Sequence, residues 1–407
     1  MKKILYISYD GMTDALGQSQ VLPYLTALSR LGYRISILSV EKKQNFAKSE
    51  SIIRQITQAH QIEWSYIFYT KKPPVLSTLY DLRKLKKIAF QKYKTEKYDL
   101  IHCRSYISAL IGLEFKRKKL SKFLFDMRGF WADERVDGNL WNLKNPVFRA
   151  VYQYFKRKEQ EFLQEADYTI SLTHNAKEEI EGWRLPRAAS IQVIPCCVDT
   201  DFFDREKLKK IPQKSALVLS YLGSLGTWYM LEEMLLFFKK LLEVKPESRF
   251  LFITKDDPAL VWAKADALDI DRKKLHIQSA ERAEVPHLLA QSDVSLFFIK
   301  PAFSKKASSA TKMGEILALG IPVITNDGVG DHAFLFENYP CGYLLTLHEN
   351  RADLEQEFQK ALTQIDACLA IPPEKLRTIA LDYFSLEEGV RRYQEVYEKI
   401  FRSVVGG

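Results

Sequence analysis

Lys305-Lys-Ala-Ser-Ser-Ala-Thr-Lys-Met-Gly-Glu-Ile-Leu-Ala-Leu-Gly-Ile-Pro-Val-Ile-Thr325 runs from a small basic loop into a helix, through a tight break, and into a strand. Ser308, Ser309 and Thr311 are residue types that start helices, because their hydroxyls accept from free backbone N–H groups. Those N–H groups and the helix dipole favour an anion, and Lys305, Lys306 and Lys312 add full positive charges beside them. Glu315 follows where a carboxylate reaches sugar hydroxyls next to a bound phosphate. Phosphate on the helix end and hydroxyls on the glutamate together describe a nucleotide ligand. The plain alternative is a capped helix with a solvated glutamate, and spacing alone leaves both open.

The same alternation of apolar strand and amphipathic helix fills the chain, which is the pattern of parallel sheets covered by helices. The first half predicts strands over 4–9, 34–40, 62–69, 100–103, 123–127, 168–172 and 191–194, with helices over 20–31 and 145–164 among those between them. A second series follows over 217–222, 250–254, 275–278, 294–299, 323–325 and 343–345. Two consecutive doubly wound units are the simplest account, and 407 residues suit two domains of about 200 residues each. The change of unit is expected near 194–214, where Val193-Ile-Pro-Cys-Cys-Val-Asp-Thr-Asp-Phe-Phe203 leads into a charged segment. The end of the chain, from Ser385, has helical spacing of Val390, Tyr393, Val396, Tyr397, Ile400 and Phe401.

The run Thr311-Lys-x-x-Glu315, a short apolar helix, then Gly320-x-Pro-Val-Ile324 resembles the donor-binding signature of retaining glycosyltransferases of family 4. The family carries two glutamates separated by seven residues; Glu315 matches the second, and Ala307 stands where the first belongs. The resemblance extends over nearly the whole chain. It implies an α/β fold of the GT-B type, two Rossmann-like doubly wound domains facing across a cleft. The first domain, 1–195 with a returning helix over 385–407, would take the acceptor, and 196–384 would bind the nucleotide-sugar donor.

Other segments add candidates. Leu16-Gly-Gln-Ser-Gln-Val-Leu-Pro-Tyr-Leu25 resembles a variant of the family's glycine loop, with Gly17 allowing close backbone approach and Gln18 at a helix start. No dinucleotide fingerprint is present there, so locally it also reads as an ordinary turn. Phe125-Asp-Met-Arg-Gly-Phe-Trp-Ala-Asp-Glu-Arg135 crowds charges and aromatics at the end of a strand, where α/β folds place ligands. Arg128 stands at the family's histidine position and cannot act as a base, but suits phosphate charge or sugar orientation. Asp126 and Arg128 are the candidate catalytic residues; an internal salt-bridge network bracing the loop is the competing reading. Tyr221-Leu-Gly-Ser-Leu-Gly-Thr-Trp-Tyr229 is again strand, glycine loop and helix, with N–H groups at Gly223 and Ser224 for a diphosphate. The family's arginine and lysine are missing from this loop, and Lys255 is the nearest replacement. Ser279 lies where the family holds the base. With Ser309, Thr311, Lys312 and Glu315, these complete the expected donor site.

Composition sets the remaining bounds. Residues 1–195 hold 33 lysines and arginines against 20 acidic residues, a net of +13, and the remainder holds 27 against 31, a net of −4. Such a basic half suits a polyanion or an anionic membrane, and basic amphipathic runs at 79–90, 115–120 and 151–158 sharpen the membrane reading. They belong to no nucleic-acid motif, so nucleic acid is not an expected partner. No apolar run approaches the roughly 18–20 residues that span a bilayer, and Met1-Lys-Lys-Ile-Leu-Tyr-Ile-Ser-Tyr9 lacks a signal peptide's length and cleavage site. Cys103, Cys196, Cys197, Cys341 and Cys368 have no zinc-like or redox spacing, which points to a reducing, cytoplasmic setting. Asp199-x-Asp201 is the one pattern resembling a metal motif, but it lies in the linker, and no metal or other cofactor is expected.

Together these imply a retaining, metal-independent glycosyltransferase of hexosyltransferase type. It would move a sugar from a nucleotide-sugar donor to a glycan or polyprenyl-lipid-linked acceptor, for surface polysaccharide or glycoconjugate synthesis, at the inner membrane face. A nucleotide-sugar epimerase of the same fold and a non-catalytic binding subunit are the other readings.

Overall fold

A computed structural model describes residues 1–208 and 216–402; the end of the expected charged linker and the last five residues of the expected terminal helix lie outside them. The chain divides into two compact units, one formed by Met1–Pro195 with the segment from Gly389, the other by Cys196–Glu388.

The first unit is a seven-stranded sheet of β1 (Lys3–Ser8), β2 (Arg34–Glu41), β3 (Glu63–Phe68), β4 (Leu100–Arg104), β5 (Lys122–Asp126), β6 (Tyr168–Ser171) and β7 (Ile191–Val193). Its order is β3-β2-β1-β4-β5-β6-β7 and every pairing is parallel. Central strands such as β4, Leu-Ile-His-Cys-Arg, are buried on both faces, while the edge strand β3 is half exposed. The second unit holds β8 (Val218–Leu222), β9 (Arg249–Ile253), β10 (Leu275–Gln278), β11 (Val294–Leu296), β12 (Val323–Asn326) and β13 (Gly342–Leu345), in the order β10-β9-β8-β11-β12-β13, again all parallel. Fully buried Phe237, Phe238, Phe250 and Phe298 fill its core. In each sheet the order reverses once, at β1/β4 and at β8/β11. Loops leave in opposite directions there, so a crevice opens at the strands' C-terminal ends.

All thirteen expected strands form. The strand expected over 294–299 stops at Leu296, because Asn326 takes over its edge, Ile299 N–H donating to Asn326 Oδ1 (2.8 Å) and Asn326 Nδ2 to the Ile299 carbonyl (3.0 Å). The helix expected over 20–31 is two, Ala15–Gln20 and Leu22–Arg30, broken at Val21. Pro23 explains the break, since its ring would clash with the carbonyl of Ser19 in a continuous helix.

The final helix, Leu386–Arg402, buries Val390, Tyr393, Val396, Tyr397 and Ile400 and packs in the first unit, Tyr393 on Tyr24 and Tyr397 on Tyr33. The basic runs are largely ion-paired inside that unit. Glu114 pairs with Lys86 (2.5 Å) and Lys118 (2.9 Å), Asp167 with Lys116 (2.7 Å), Glu161 with Arg117 (2.9 Å) and Lys158 (2.8 Å), and Asp133 with Lys156 (2.8 Å).

Candidate active site

In the second unit the switch point lies between the loop after β8 and the segment from β11 to the helix Thr311–Ala318. Gly223 adopts φ +128°, where only glycine is unstrained. Its N–H donates to the Ile253 carbonyl (3.0 Å), and the Leu225 N–H is held by the Asp256 carboxylate. The expectation that Gly223 offers its N–H to a diphosphate is therefore corrected: the sheet ladder has consumed it. Ser224 stays exposed on the loop, with Gly226 and Thr227 beside it.

The helix start also differs from its sequence reading. Ala310 is the N-cap and no side chain caps this helix. Ser309 Oγ instead accepts from Cys196 N–H (3.0 Å), binding the segment before the helix to the start of the unit. Thr311 is the first helical residue and is half-buried. The basic loop is a 3₁₀ turn, Phe303–Ala307, that buries Ser304, Lys305 and Ala307, and Lys305 lies 3.7 Å from the Trp228 ring centre. Ala307, where the family's first glutamate would stand, is 2 % exposed.

Lys312 was expected to add a full positive charge beside the helix start. Its side chain is buried, with Nζ 3.7 Å from the ring centre of Tyr229, 4.5 Å from Tyr221 and 5.4 Å from Phe297, and without a hydrogen-bond partner among the described residues. Ring contacts stabilise a desolvated ammonium by about 2 kcal/mol or more each. Removing it from water costs several kcal/mol and forfeits its hydrogen bonds. Burial wins, pushing the ammonium down to about 7 against a smaller opposing pull from Glu315. Glu315 is itself 5 % exposed and accepts from Arg282 Nη1 (2.6 Å). Arg282, in the loop after β10, lies over the rings of Phe203 (4.7 Å) and Phe202 (5.6 Å). Nothing near Arg282 in sequence marks it as Glu315's partner, since only the fold brings positions 282 and 315 together.

Gly223, Ser224, Lys312 and Glu315 thus share the switch point, with Ser309 and Thr311 at the helix start. Lys255 does not replace the missing loop cations: it is 62 % exposed and pairs with Glu281 (2.7 Å). Ser279 is exposed just after β10.

In the first unit, register sets Ser8 beside Arg104 and Arg104 beside Asp126, with Tyr6 and His102 two residues earlier on the same face. The final helix covers this row. Tyr393 OH donates to Asp126 Oδ2 (3.0 Å), and His102 Nδ1 lies 2.8 Å from Tyr397 OH while its Nε2 lies 3.5 Å from Asp126. Burial pushes the Asp126 carboxyl up, but Arg128, His102 and Arg104 together hold it below the usual range. Burial holds His102 below the ordinary imidazole value despite Asp126. Asp126, expected from the sequence to be catalytic, is 1 % exposed and lies beneath the final helix. Arg128 follows in the left-handed region, φ +58°, with Nη1 3.8 Å from Asp126 Oδ1. Arg104, buried and 3.4 Å from Asp10 through Nε, was not singled out by the sequence; its place at the end of β4, level with Asp126, was the available signal.

Gly17 and Gln18 serve the loop itself. A methyl on Gly17 would lie 2.2 Å from the Gly11 carbonyl oxygen, so the close approach there is helix to loop, not loop to ligand. Gln18 Nε2 donates to the Thr13 carbonyl (3.1 Å). Buried Glu41 accepts from Met12 N–H (2.7 Å), Thr13 N–H (3.1 Å) and Thr13 Oγ1 (2.5 Å), and occupies the anion position this loop would offer. Asp199 closes a turn, accepting from the N–H groups of Asp201 (3.1 Å) and Phe202 (2.9 Å), while Asp201 pairs with Lys207 (3.1 Å). Among the described residues no helix is long and apolar enough to cross a membrane.

Residues 19–202 match the family model described as Glycosyltransferase Family 4. No curated protein matches the chain in sequence. Among solved structures, a glycosyltransferase from Rickettsia africae is 18 % identical with a TM-score of 0.68, covering 98 % of each chain. HepE of Anabaena in complex with UDP is 12 % identical with a TM-score of 0.68, over 98 % of this chain and 100 % of that one. A UDP-GlcNAc 2-epimerase from Neisseria meningitidis, bound to UDP-GlcNAc, is 14 % identical with a TM-score of 0.59, over 98 % and 100 %. At these identities the likeness establishes the fold, GT-B.

Proposed function

From the match of residues 19–202, which cover most of the first unit and the start of the second, to the Glycosyltransferase Family 4 model, we propose that this chain transfers a sugar from a nucleotide donor to an acceptor hydroxyl with retention of configuration and without a metal. The observation that carries the donor assignment is the switch point of the second unit. There a glycine loop, a buried lysine and a carboxylate stand together at Gly223, Lys312 and Glu315. Glu315 has one oxygen on Arg282 and binds ribose hydroxyls with the other; the diphosphate lies over the Gly223 loop and the start of the helix. UDP in the HepE complex supports a nucleoside diphosphate as the ligand class.

In the reaction the acceptor oxygen forms the new bond to the anomeric carbon as the bond to the diphosphate breaks. The acceptor's proton passes to the departing phosphate oxygen, so no protein base is required. The protein orients the partners and stabilises the charge that grows on the leaving group. Arg128 supplies part of the positive countercharge, held in place through Asp126, Tyr393 and His102. The first unit takes the acceptor, a glycan or lipid-linked glycan in surface polysaccharide or glycoconjugate synthesis, from the cytoplasmic face of the membrane.

A screen of nucleotide sugars by thermal shift tests the donor reading, since a ligand at 100 times its dissociation constant stabilises by about 2.7 kcal/mol. Incubating labelled donors with and without membrane lipid extracts then tests transfer. Label moving to an acceptor is expected. An altered sugar formed without any acceptor would instead make the chain an epimerase, the activity named for the Neisseria protein of the same fold. Binding without turnover would leave a non-catalytic subunit.

A further inference from the structure

Resting on the donor reading of the second unit, we propose that Lys312 is the cation that receives the diphosphate at the Gly223 loop, and that it takes up a proton from solvent as the anion arrives. A methyl group on Gly223 would lie 2.8 Å from Lys312 Nζ and 3.4 Å from its Cε. The ammonium nitrogen is therefore one backbone thickness below an exposed loop, and only glycine leaves it that close. Nζ has no hydrogen-bond partner among the described residues and touches aromatic rings instead.

The charged and titratable groups around it do not neutralise it. From β8 and its loop, burial raises the Tyr221 and Tyr229 hydroxyls, which stay neutral, and Asp256 is engaged with the Leu225 N–H. On the same helix Glu315 is paired with Arg282. From the β11 side Lys305 lies on Trp228, and His332, packed on Phe297, is held neutral by burial. The site is thus a buried amine with a counter-charge missing. Burial lowers the ammonium to about 7, which brings the neutral amine within reach near neutral pH in the free chain. An anion over Gly223 supplies the counter-charge and favours the protonated form, so binding and protonation are linked. Above pH 7 affinity must then fall with rising pH.

The experiment is calorimetric titration of the full chain with UDP and with inorganic pyrophosphate at pH 7, 8 and 9, in paired buffers of different ionisation enthalpy. At pH 8 and above the terminal phosphate of UDP, which titrates near pH 6, is largely deprotonated. Pyrophosphate still loses its last proton in the alkaline range, so its uptake is read as the difference between wild type and Lys312→Met at each pH. The wild type should take up close to one proton per ligand at pH 9 and bind about tenfold to a hundredfold more weakly there than at pH 7. Lys312→Met should bind UDP without uptake and without that pH dependence. Nitrogen-15 NMR of the lysine Nζ groups in the wild type gives a second measurement, in which one buried resonance should titrate at higher pH once pyrophosphate is present. Binding without proton uptake, equal uptake in Lys312→Met, or no diphosphate binding at all overturns the proposal. Sugar transfer without linked uptake would overturn it while leaving the transferase reading intact. Proton-linked diphosphate binding without sugar transfer would do the reverse.

Discussion

Arg128 holds a left-handed backbone, φ +58°, immediately before Gly129 at φ +125°. Alanine at 128 would remove the guanidinium and keep the strain, whereas glycine removes both, with a difference of about 1 kcal/mol in favour of glycine. Arg128→Ala and Arg128→Gly should both lower turnover more than donor affinity, because leaving-group charge is greatest in the transition state. Steady-state kinetics with urea unfolding separates the effects: a stable Arg128→Gly enzyme with normal kcat would remove the residue from the chemistry. Glu315→Ala should weaken donor binding by roughly tenfold to a hundredfold, the range for hydrogen bonds to a charged group. It should leave the fold intact, since Arg282 is 51 % exposed and water replaces its partner. Unchanged donor affinity by calorimetry would reject the ribose contact. Lys312 makes its own pH prediction for the free chain. An unfolded lysine titrates near 10.4, the folded Lys312 near 7, so between these values the unfolded chain binds more protons. Stability therefore rises with pH across about pH 7 to 10, and the penalty is fully present below pH 7. Lys312→Met should remove a pH-dependent difference on the order of 4–5 kcal/mol, read as a flatter melting temperature against pH than the wild type's.

At the scale of elements, the final helix carries the clearest consequence. Its apolar spacing was legible at Val390, Tyr393, Val396, Tyr397 and Ile400, because an amphipathic helix writes its buried face into the sequence every three or four residues. That Tyr393 and Tyr397 reach Asp126 and His102 was not legible, since the partners are 267 and 295 residues apart. Tyr393→Phe keeps the ring packing on Tyr24 and removes only the hydroxyl, leaving buried Asp126 short of a donor. A loss of about 1–3 kcal/mol is expected in urea unfolding, and a lower kcat with it if Asp126 positions Arg128. A destabilised variant with unaltered kinetics would confine the cluster to structure. The helix start at Thr311 shows the opposite error. Ser308 and Ser309 have the residue types of caps, yet Ala310 takes the cap position and Ser309 turns to Cys196. Cap chemistry in a sequence gives the capacity for a bond, and tertiary neighbours choose which N–H is served.

For the molecule as a whole, the net of +13 in residues 1–195 remains the argument for testing an anionic surface, and the structure offers a different face to test. Lys86, Lys116, Lys118, Lys156 and Lys158 are engaged with carboxylates of their own unit. On the helix Leu76–Glu96, Leu76, Leu79 and Tyr80 are 63, 46 and 50 % exposed. Arg83 and Lys87 continue the same helical face and are exposed too. Apolar residues at one end of a face and basic ones along it suit a lipid surface, at about 1 kcal/mol per basic residue. The wild type should pellet with anionic vesicles at low salt and be released as salt shortens screening to about 3 Å at 1 M. Arg83→Gln with Lys87→Gln should weaken that binding, and Leu76→Ser with Leu79→Ser should weaken it further, without a change in nucleotide affinity. A wild type that stays in the supernatant would point to a soluble acceptor.

What the sequence determined by itself was the architecture. Strands buried on both faces are continuous apolar runs, and their alternation with amphipathic helices leaves parallel doubly wound sheets as the simple solution, so β1 to β13 were readable within a few residues. Glu315 and the glycine loops could be picked out as candidates because the chemistry that marks them is local. Tertiary structure alone decided which of those groups remain available. It gave the Gly223 N–H to Ile253, Gly17 to the packing of Gly11, the Met12 and Thr13 N–H groups to Glu41, and Lys255 to Glu281. It also put Lys312 among Tyr221, Tyr229 and Phe297. The physical reason is the same in each case: hydrogen bonding and desolvation depend on atoms far away in the chain, which no spacing along the sequence records.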